Sequence, residues 1–444
     1  MFEEFVDKTF ERQIEDLKAL VAIPSVSRGE PEPGMPLGRH LHDVLQKAFE
    51  IGVSLGLPMG RSLDDYCGVL DYGEGDETLM IMAHLDVVPA GTGWTGDPFT
   101  AVVRDGRIIG RGVVDDKGAA VSAMYALAAV IDAGIPLTRK VRLFFGCDEE
   151  AGWKCIDRYK QTEPEPTLAF TPDANYPLVN SEMGICHAVY HKPLSGSGVR
   201  ISCGTASNVV PGEASATLNF DPEPVKAPAG FVLTGNGDTL TATGRGGHAA
   251  HPDGARNALQ ALLCVLATQP LDADDLATAS GLSALFAFDK HGEGFRLDVT
   301  DVSGHLTLVP TMLNWDENGA TLTLDCRYPF SVSEEQLKEK LDAAFSAIGF
   351  EKETVECKPG HFIDPDGELV STLMDVYETR TGRKSKPLSI GGGTYARGFA
   401  HAVAFGIEPE NEQSECHMPD ESTALTDVRF NTLVMADAIA RLAR

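Results

Sequence analysis

The chain has 444 residues, enough for two domains with substantial cores, and its 43% hydrophobic and 23% charged content is that of an ordinary globular protein. A formal net charge of −28 excludes sequence-independent binding to nucleic-acid phosphates and disfavours anionic membrane surfaces. No apolar run is long enough to span a bilayer. At the N-terminus Phe2, Phe5, Phe10, Ile14, Leu17 and Val21 recur near helical spacing among charges, which predicts an amphipathic helix. The segment has neither a basic n-region nor an apolar h-region, so it is not expected to be a signal peptide. Further along, 77–86 ("ETLMIMAHLD") reads as a strand. Residues 115–134 read as a helix with Val121, Met124, Leu127, Ala128 and Ile131 on one face. Strands follow at 140–150 ("KVRLFFGCDEE") and 166–175 ("PTLAFTPDAN").

Strand–helix–strand order with short links predicts an α/β layer, a mainly parallel sheet flanked by helices. After Gly184 the pattern changes. Alternating runs at 213–220, 238–244 and 320–330, with helices at 256–269 and 334–348, predict an α+β domain rich in antiparallel strands. From Gly360 onward come a helix at 367–381, a Gly-rich loop, a strand at 401–406 and a last helix at 426–443. The expected arrangement is a discontinuous catalytic domain, 1–183 and 361–444, with a lid domain, 184–360, inserted into it. The nine cysteines are scattered and form no C-x-x-C, which predicts reduced thiols in a cytoplasmic protein.

Acidic or imidazole side chains stand where the α/β strands end: His84 and Asp86, Glu149 and Glu150, then Asp173. Between them a helix opens on Asp115-Asp116. Ligands gather at the carboxyl ends of strands in open α/β sheets, so these groups are expected at one edge. Taken singly, each has a plainer explanation. His84 could be structural, the aspartate pair a helix cap, Asp173 a turn residue and the glutamates a solvated loop. Taken together they suggest a metal centre. Alternation along the strand would point Glu149 and Glu150 to opposite sides and give them different tasks. Composition and spacing lead no further.

The words "HLDVVPAGTGW", "GRGVVDDKG", "GCDEEAGWKC", "TPDANYPLVNSEMG", "GRGGHAAHPDGARNAL", "LDCRYPF", "IGGGTYARGFAHAVAFG" and "ECHMPDES" resemble, in order and spacing, the zinc-dependent M20 metallopeptidases, above all their dipeptidase V-like branch. The resemblance runs from about residue 10 to the C-terminus. It implies two Zn²⁺ ions per chain, with Mn²⁺ or Co²⁺ as substitutes. His84 and Asp173 resemble ligands of the first ion, Glu150 and His417 ligands of the second. Asp115 resembles the carboxylate bridging both, followed by a cis bond to Asp116. Asp86 resembles the carboxylate that orients His84 or the catalytic acid, and Glu149 the general base. In the lid, His248 resembles the donor to the scissile carbonyl oxygen. Asn208 and Arg327 resemble groups binding the substrate's carbonyl and C-terminal carboxylate, although a strand-end salt bridge is an equal explanation for Arg327. Gly392, Gly393 and Thr394 belong to a loop near that carboxylate, and His251 has no counterpart. The implied protein is a cytoplasmic monomer with an enlarged lid that hydrolyses unblocked dipeptides. The alternative is an M20 deacylase or desuccinylase of N-acyl amino acids, with the same metal centre.

Overall fold

Strands Lys140–Gly146, Thr78–His84, Leu168–Thr171 and Ala402–Ala404 lie side by side in parallel in the computed structural model, which describes residues 1–410 and 414–444. Nearly every residue in these strands is buried, as a parallel sheet covered on both faces requires. Antiparallel strands Cys67–Tyr72 and Arg61–Leu63 extend one edge. Alternation decides which side chain serves which core. Leu79, Ile81 and Ala83 enter a large core shared with helices Glu3–Val21, Arg39–Ser54, Lys117–Asp132, Glu368–Thr381 and Leu425–Leu442. Met80 and Met82 enter a smaller core with Phe144, Tyr159, Tyr395 and Phe399, on the side of helix Lys154–Thr162.

The helix at Lys117–Asp132 departs from its expected one-sided pattern. It is buried from Lys117 through Val130, on all faces. Alanine and glycine supply the faces that periodicity reads as neutral, and they let neighbouring elements approach closely. The strand expected over 140–150 stops at Gly146, so Glu149 and Glu150 lie in a following turn rather than on the strand.

The chain divides into two compact units. The first is Met1–Asn180, Ile363–Leu388 and Thr394–Arg444; the second is Ser181–Phe362 and Ser389–Gly393. The return of Ser389–Gly393 to the second unit, inside a stretch read from sequence as part of the first domain, follows from its bonds. Met183 N donates to Ile390 O at 2.9 Å, Ser389 Oγ to Ser303 O at 2.5 Å and Arg327 Nη1 to Gly391 O at 3.0 Å.

The second unit is built on an eight-stranded antiparallel sheet. Its strand order is Val232–Asn236, Thr239–Thr243, Glu213–Leu218, Val199–Cys203, Thr307–Asp316, Gly319–Tyr328, Gly184–Pro193 and Glu351–Lys358. Helices Ala258–Leu266, Ala273–Phe286 and Glu334–Ser346 share its core. Two of the scattered cysteines come together here. Cys186 and Cys357 stand directly opposite on antiparallel strands, Cα atoms 4.1 Å apart. They are 171 residues apart in sequence, and only the strand register brings them together. Among the described residues no helix is long and apolar enough to cross a membrane.

Candidate metal centre

Strand Thr78–His84 ends on His84, which is 1% exposed. Its Nδ1 lies 2.9 Å from the backbone carbonyl of Asp86. That contact favours the proton on Nδ1 and leaves Nε2 as the ligating nitrogen. Nε2 lies 2.8 Å from Asp115 Oδ1 and 3.8 Å from Asp173 Oδ2. The other oxygen of Asp115, Oδ2, lies 2.9 Å from His417 Nε2, which is in turn 3.0 Å from Glu150 Oε1. Asp115 thus offers one oxygen to each imidazole. All five predicted ligands converge, and all belong to the first unit.

The backbone around them is set by buried carboxylates. Glu421 is 0% exposed, and its Oε1 accepts from the amides of Gly112, Val114 and Asp115 at 3.0, 2.9 and 3.2 Å. Its Oε2 pairs with Arg111 Nη1 at 2.6 Å. The bond from Asp115 to Asp116 is cis, as the resemblance implied. Gly118 closes this loop, because a Cβ there would stand 2.1 Å from Val113 O. Asp116 Oδ2 accepts from the His84 amide at 3.1 Å.

Asp86 does comparable work on the glutamate turn. Its Oδ1 accepts from Glu149 N at 3.0 Å, and its Oδ2 accepts from Glu150 N at 3.1 Å and Ser27 Oγ at 2.8 Å. Its nearest side-chain oxygen is 3.6 Å from His84 Nδ1, so of its two expected tasks the geometry favours fixing the glutamates. The different orientations of Glu149 and Glu150 therefore depend on a turn held by Asp86, not on strand alternation. Gly146, just upstream, is required by Tyr395, whose hydroxyl would lie 1.9 Å from a Cβ at that position. Tyr395 in turn packs edge-on to His84, ring centroids 6.1 Å apart.

The electrostatics call for cations. Burial pushes Asp173 up to about 7, reinforced by Asp115. Burial likewise raises the Glu149 carboxyl well above its usual range, with Asp173 and Glu150 adding to the effect. Asp115 and Glu150 hold His417 up at about 10. Burial alone would depress His84, but Asp115 and Asp86 keep it well above normal. The carboxylates that so favour a proton on each imidazole would favour a divalent ion in the proton's place. Two imidazoles and three carboxylates, one shared, are a donor set suited to zinc.

The second unit gathers its own predicted set. Strand Gly247–His248 pairs with Val209–Val210, and Ala249 N donates to Asn208 O at 2.9 Å, so Asn208 and His248 are neighbours. Ala250 N donates to His248 Nδ1 at 3.1 Å. The neutral ring therefore carries its proton on Nε2, where it is a donor. Burial, then Arg327, lowers the His248 pKa and keeps the ring neutral. Arg327 grips Asp325 through Nε and Nη2, both at 2.8 Å, and His187 Nε2 lies 3.0 Å from the same carboxylate. The strand-end salt bridge is thus real, and three of the five Arg327 donors are engaged by Asp325 and Gly391. Gly392 and Gly393 lie in the 389–393 return, next to Gly391, whose Cβ would stand 3.3 Å from that of Ala250. Thr394 belongs to the first unit, buried, its hydroxyl accepting from Ala396 N at 3.2 Å as a cap.

Sequence reading missed Glu421, Arg111, Ser27, Tyr395 and Asp325. Glu421 and Arg111 stand inside the ligand-bearing words "ECHMPDES" and "GRGVVDDKG", as charges without an assigned task. That was the available signal.

A family profile described as peptidase family M20/M25/M40 matches residues 80–441. The YtjP protein of Bacillus subtilis (strain 168), whose name assigns it provisionally to the dipeptidases, is 34% identical, with 93% of each chain covered. The Beta-Ala-Xaa dipeptidase of Lactobacillus delbrueckii subsp. lactis is 31% identical over 100% of this chain and 98% of its own. Among solved structures, the Bacillus subtilis YXEP protein, described as a dinuclear metal binding peptidase, superposes with a TM-score of 0.53 at 12% identity. That match covers 98% of this chain and 99% of the other.

Proposed function

The chain belongs to peptidase family M20/M25/M40, and on that premise we propose that it is a two-zinc dipeptidase acting on short unblocked peptides. The observation that carries the reading is Asp115, each of whose oxygens lies against a different imidazole. His84, Asp115 and Asp173 would hold one ion; His417, Asp115 and Glu150 would hold the other. Two divalent ions bound there supply Lewis acidity to an attacking water and to the scissile carbonyl. Mn²⁺ or Co²⁺ would serve in place of Zn²⁺ with the same donors.

Glu149, whose amide is tied to Asp86, takes the water's proton and passes it to the leaving amine. His248 donates from Nε2 to the carbonyl oxygen as it gains charge, and Asn208 binds the same group. The substrate's carboxylate is taken by the uncommitted Arg327 donors and by the backbone at Gly392 and Gly393. The names of YtjP and of the Beta-Ala-Xaa dipeptidase support dipeptides as substrates, and the dinuclear metal binding ascribed to YXEP supports two ions. The same reading makes the protein cytoplasmic and a monomer, and a sedimentation mass of one chain would check the second of these.

The test measures bound zinc in wild type and E149A, then turnover of dipeptides against matched N-acetyl and N-succinyl amino acids. The expected result is two ions in both proteins and a loss of about 10²–10⁴-fold in dipeptide turnover for E149A. Full activity in E149A removes Glu149 as the base. Turnover confined to the acylated panel makes the protein a deacylase instead.

A further inference from the structure

Basic side chains are in the minority in this chain, 37 against 65 acidic, yet three of them meet in one cavity of the second unit. The cavity holds about 700 Å³ and is lined by Arg245, Arg256 and Lys290, with Phe231 and Phe288 beside them. Arg245 and Arg256 are paired through their backbones, N to O at 2.9 and 2.8 Å in both directions, so their side chains leave a single bridge. Like charges directly opposite across such a bridge are unfavourable, and an anion between them would relieve the repulsion.

Among the described residues no carboxylate provides this. Arg256 Nη1 donates to the Gly230 carbonyl at 2.7 Å and Lys290 Nζ to the Asp253 carbonyl at 3.0 Å, so backbone, not acid, holds both. None of the three cations forms an ion pair with any described residue. The single carboxylate in the lining, Asp253, has a 90% exposed side chain, 3.9 Å from His291 Nε2. The two phenyl rings stand 5.5 Å apart at 36° and give the cavity an apolar wall.

We propose that this cavity is a binding site for a small anion, a phosphate or carboxylate carried on a flat apolar body, separate from every residue assigned to peptide hydrolysis. The charged end bridges Arg245 and Arg256 and reaches Lys290, and the flat part lies against Phe231 and Phe288. Because the two arginines bracket 246–255, the loop that bears His248, a bridging anion ties the two ends of that loop together.

Phenyl phosphate is the probe, with inorganic phosphate and phenol as controls, in hydrogen exchange of the metal-loaded protein. Phenyl phosphate is expected to slow exchange in peptides covering 228–233 and 244–257. Phosphate should need higher concentrations for the same effect, and phenol should give none. R245E removes a side chain with no bonding partner among the described residues, so the fold is not at risk. It should raise the half-saturating concentration about tenfold or more, the loss of one charge-assisted contact. K290M should weaken the same protection. Protection unchanged in R245E overturns the proposal, as does protection confined to peptides around His84, Asp115 and Glu149, equal protection by phenol, or none at all.

Discussion

Asp86 and Glu421 are fully buried carboxylates: both oxygens of Asp86 and Oε1 of Glu421 accept from backbone amides, and Oε2 of Glu421 pairs with Arg111. Each holds in shape a turn that bears a candidate ligand, through its backbone amides. Replacing Glu421 by Gln keeps its volume but strands the buried Arg111 charge, at a cost of about 3–5 kcal/mol in urea unfolding. Because Glu421 also fixes the Asp115 amide, E421Q should weaken ion binding about 10–100-fold in a chelator competition. A stability loss with unchanged ion affinity would show that Glu421 supports the fold alone. The difference between ligands and their holders also explains what could be read from sequence. His84, Asp115, Glu150, Asp173 and His417 were legible as candidate ligands through the family words that carry them, since residue type and spacing alone left each of the first four a plainer explanation and did not single out His417. The turns that Asp86 and Glu421 grip were not, because any residue can present an N–H.

At the scale of elements, strand Lys140–Gly146 shows how far a pattern reaches. Its apolar run was plain in the sequence, but its end was not, since nothing local announces that Tyr395 occupies the space over Gly146. G146A should destabilise by about 1–3 kcal/mol through overpacking. Y395F, which removes the nearest clashing atom, should recover part of that loss in a double-variant unfolding cycle. The same strand carries Arg142, registered opposite Asp71 and bonded to it at 2.6 and 2.7 Å. Burial works against the Asp71 charge, but Arg142 holds its carboxyl below the usual range. A carboxyl depressed in the folded state adds stability above its unfolded value of about 3.9 and loses it as pH falls through the folded value. The gap in unfolding free energy between wild type and D71N should therefore be full at pH 7 and close below about pH 4. A gap that stays constant down to pH 3 would contradict the pairing.

For the molecule as a whole, the α/β and antiparallel halves were legible because period-2 and period-3.6 patterns alternate in one stretch and separate in the other. The closeness of Cys186 and Cys357 was not, because it is a property of strand register over 171 residues. The return of Ser389–Gly393 to the second unit was hidden for the same reason. If ions bind the folded chain alone, chelation should lower the melting temperature as well as abolish turnover. At ion concentrations about 100-fold over Kd each site adds about 2.7 kcal/mol. Zn²⁺, Mn²⁺ or Co²⁺ added back should restore both, and a melting temperature indifferent to chelation would argue against a bound pair.

The order of the ligands along the chain bears on how the protein is made. His84, Asp115, Glu149, Glu150 and Asp173 all lie in the first 173 residues, whereas His417 and Glu421 come from the last stretch of chain. Synthesis runs from the N-terminus, so a growing chain holds the bridging carboxylate long before it holds the second imidazole or the carboxylate that locks the Asp115 loop. On the proposed reading, a chain grown only as far as residue 416 has no complete hydrolytic centre. Activity begins only after residues 417–421 have been made and have folded onto the earlier strands, and truncated products released before residue 417 are inert as peptidases however well their strands and helices have formed.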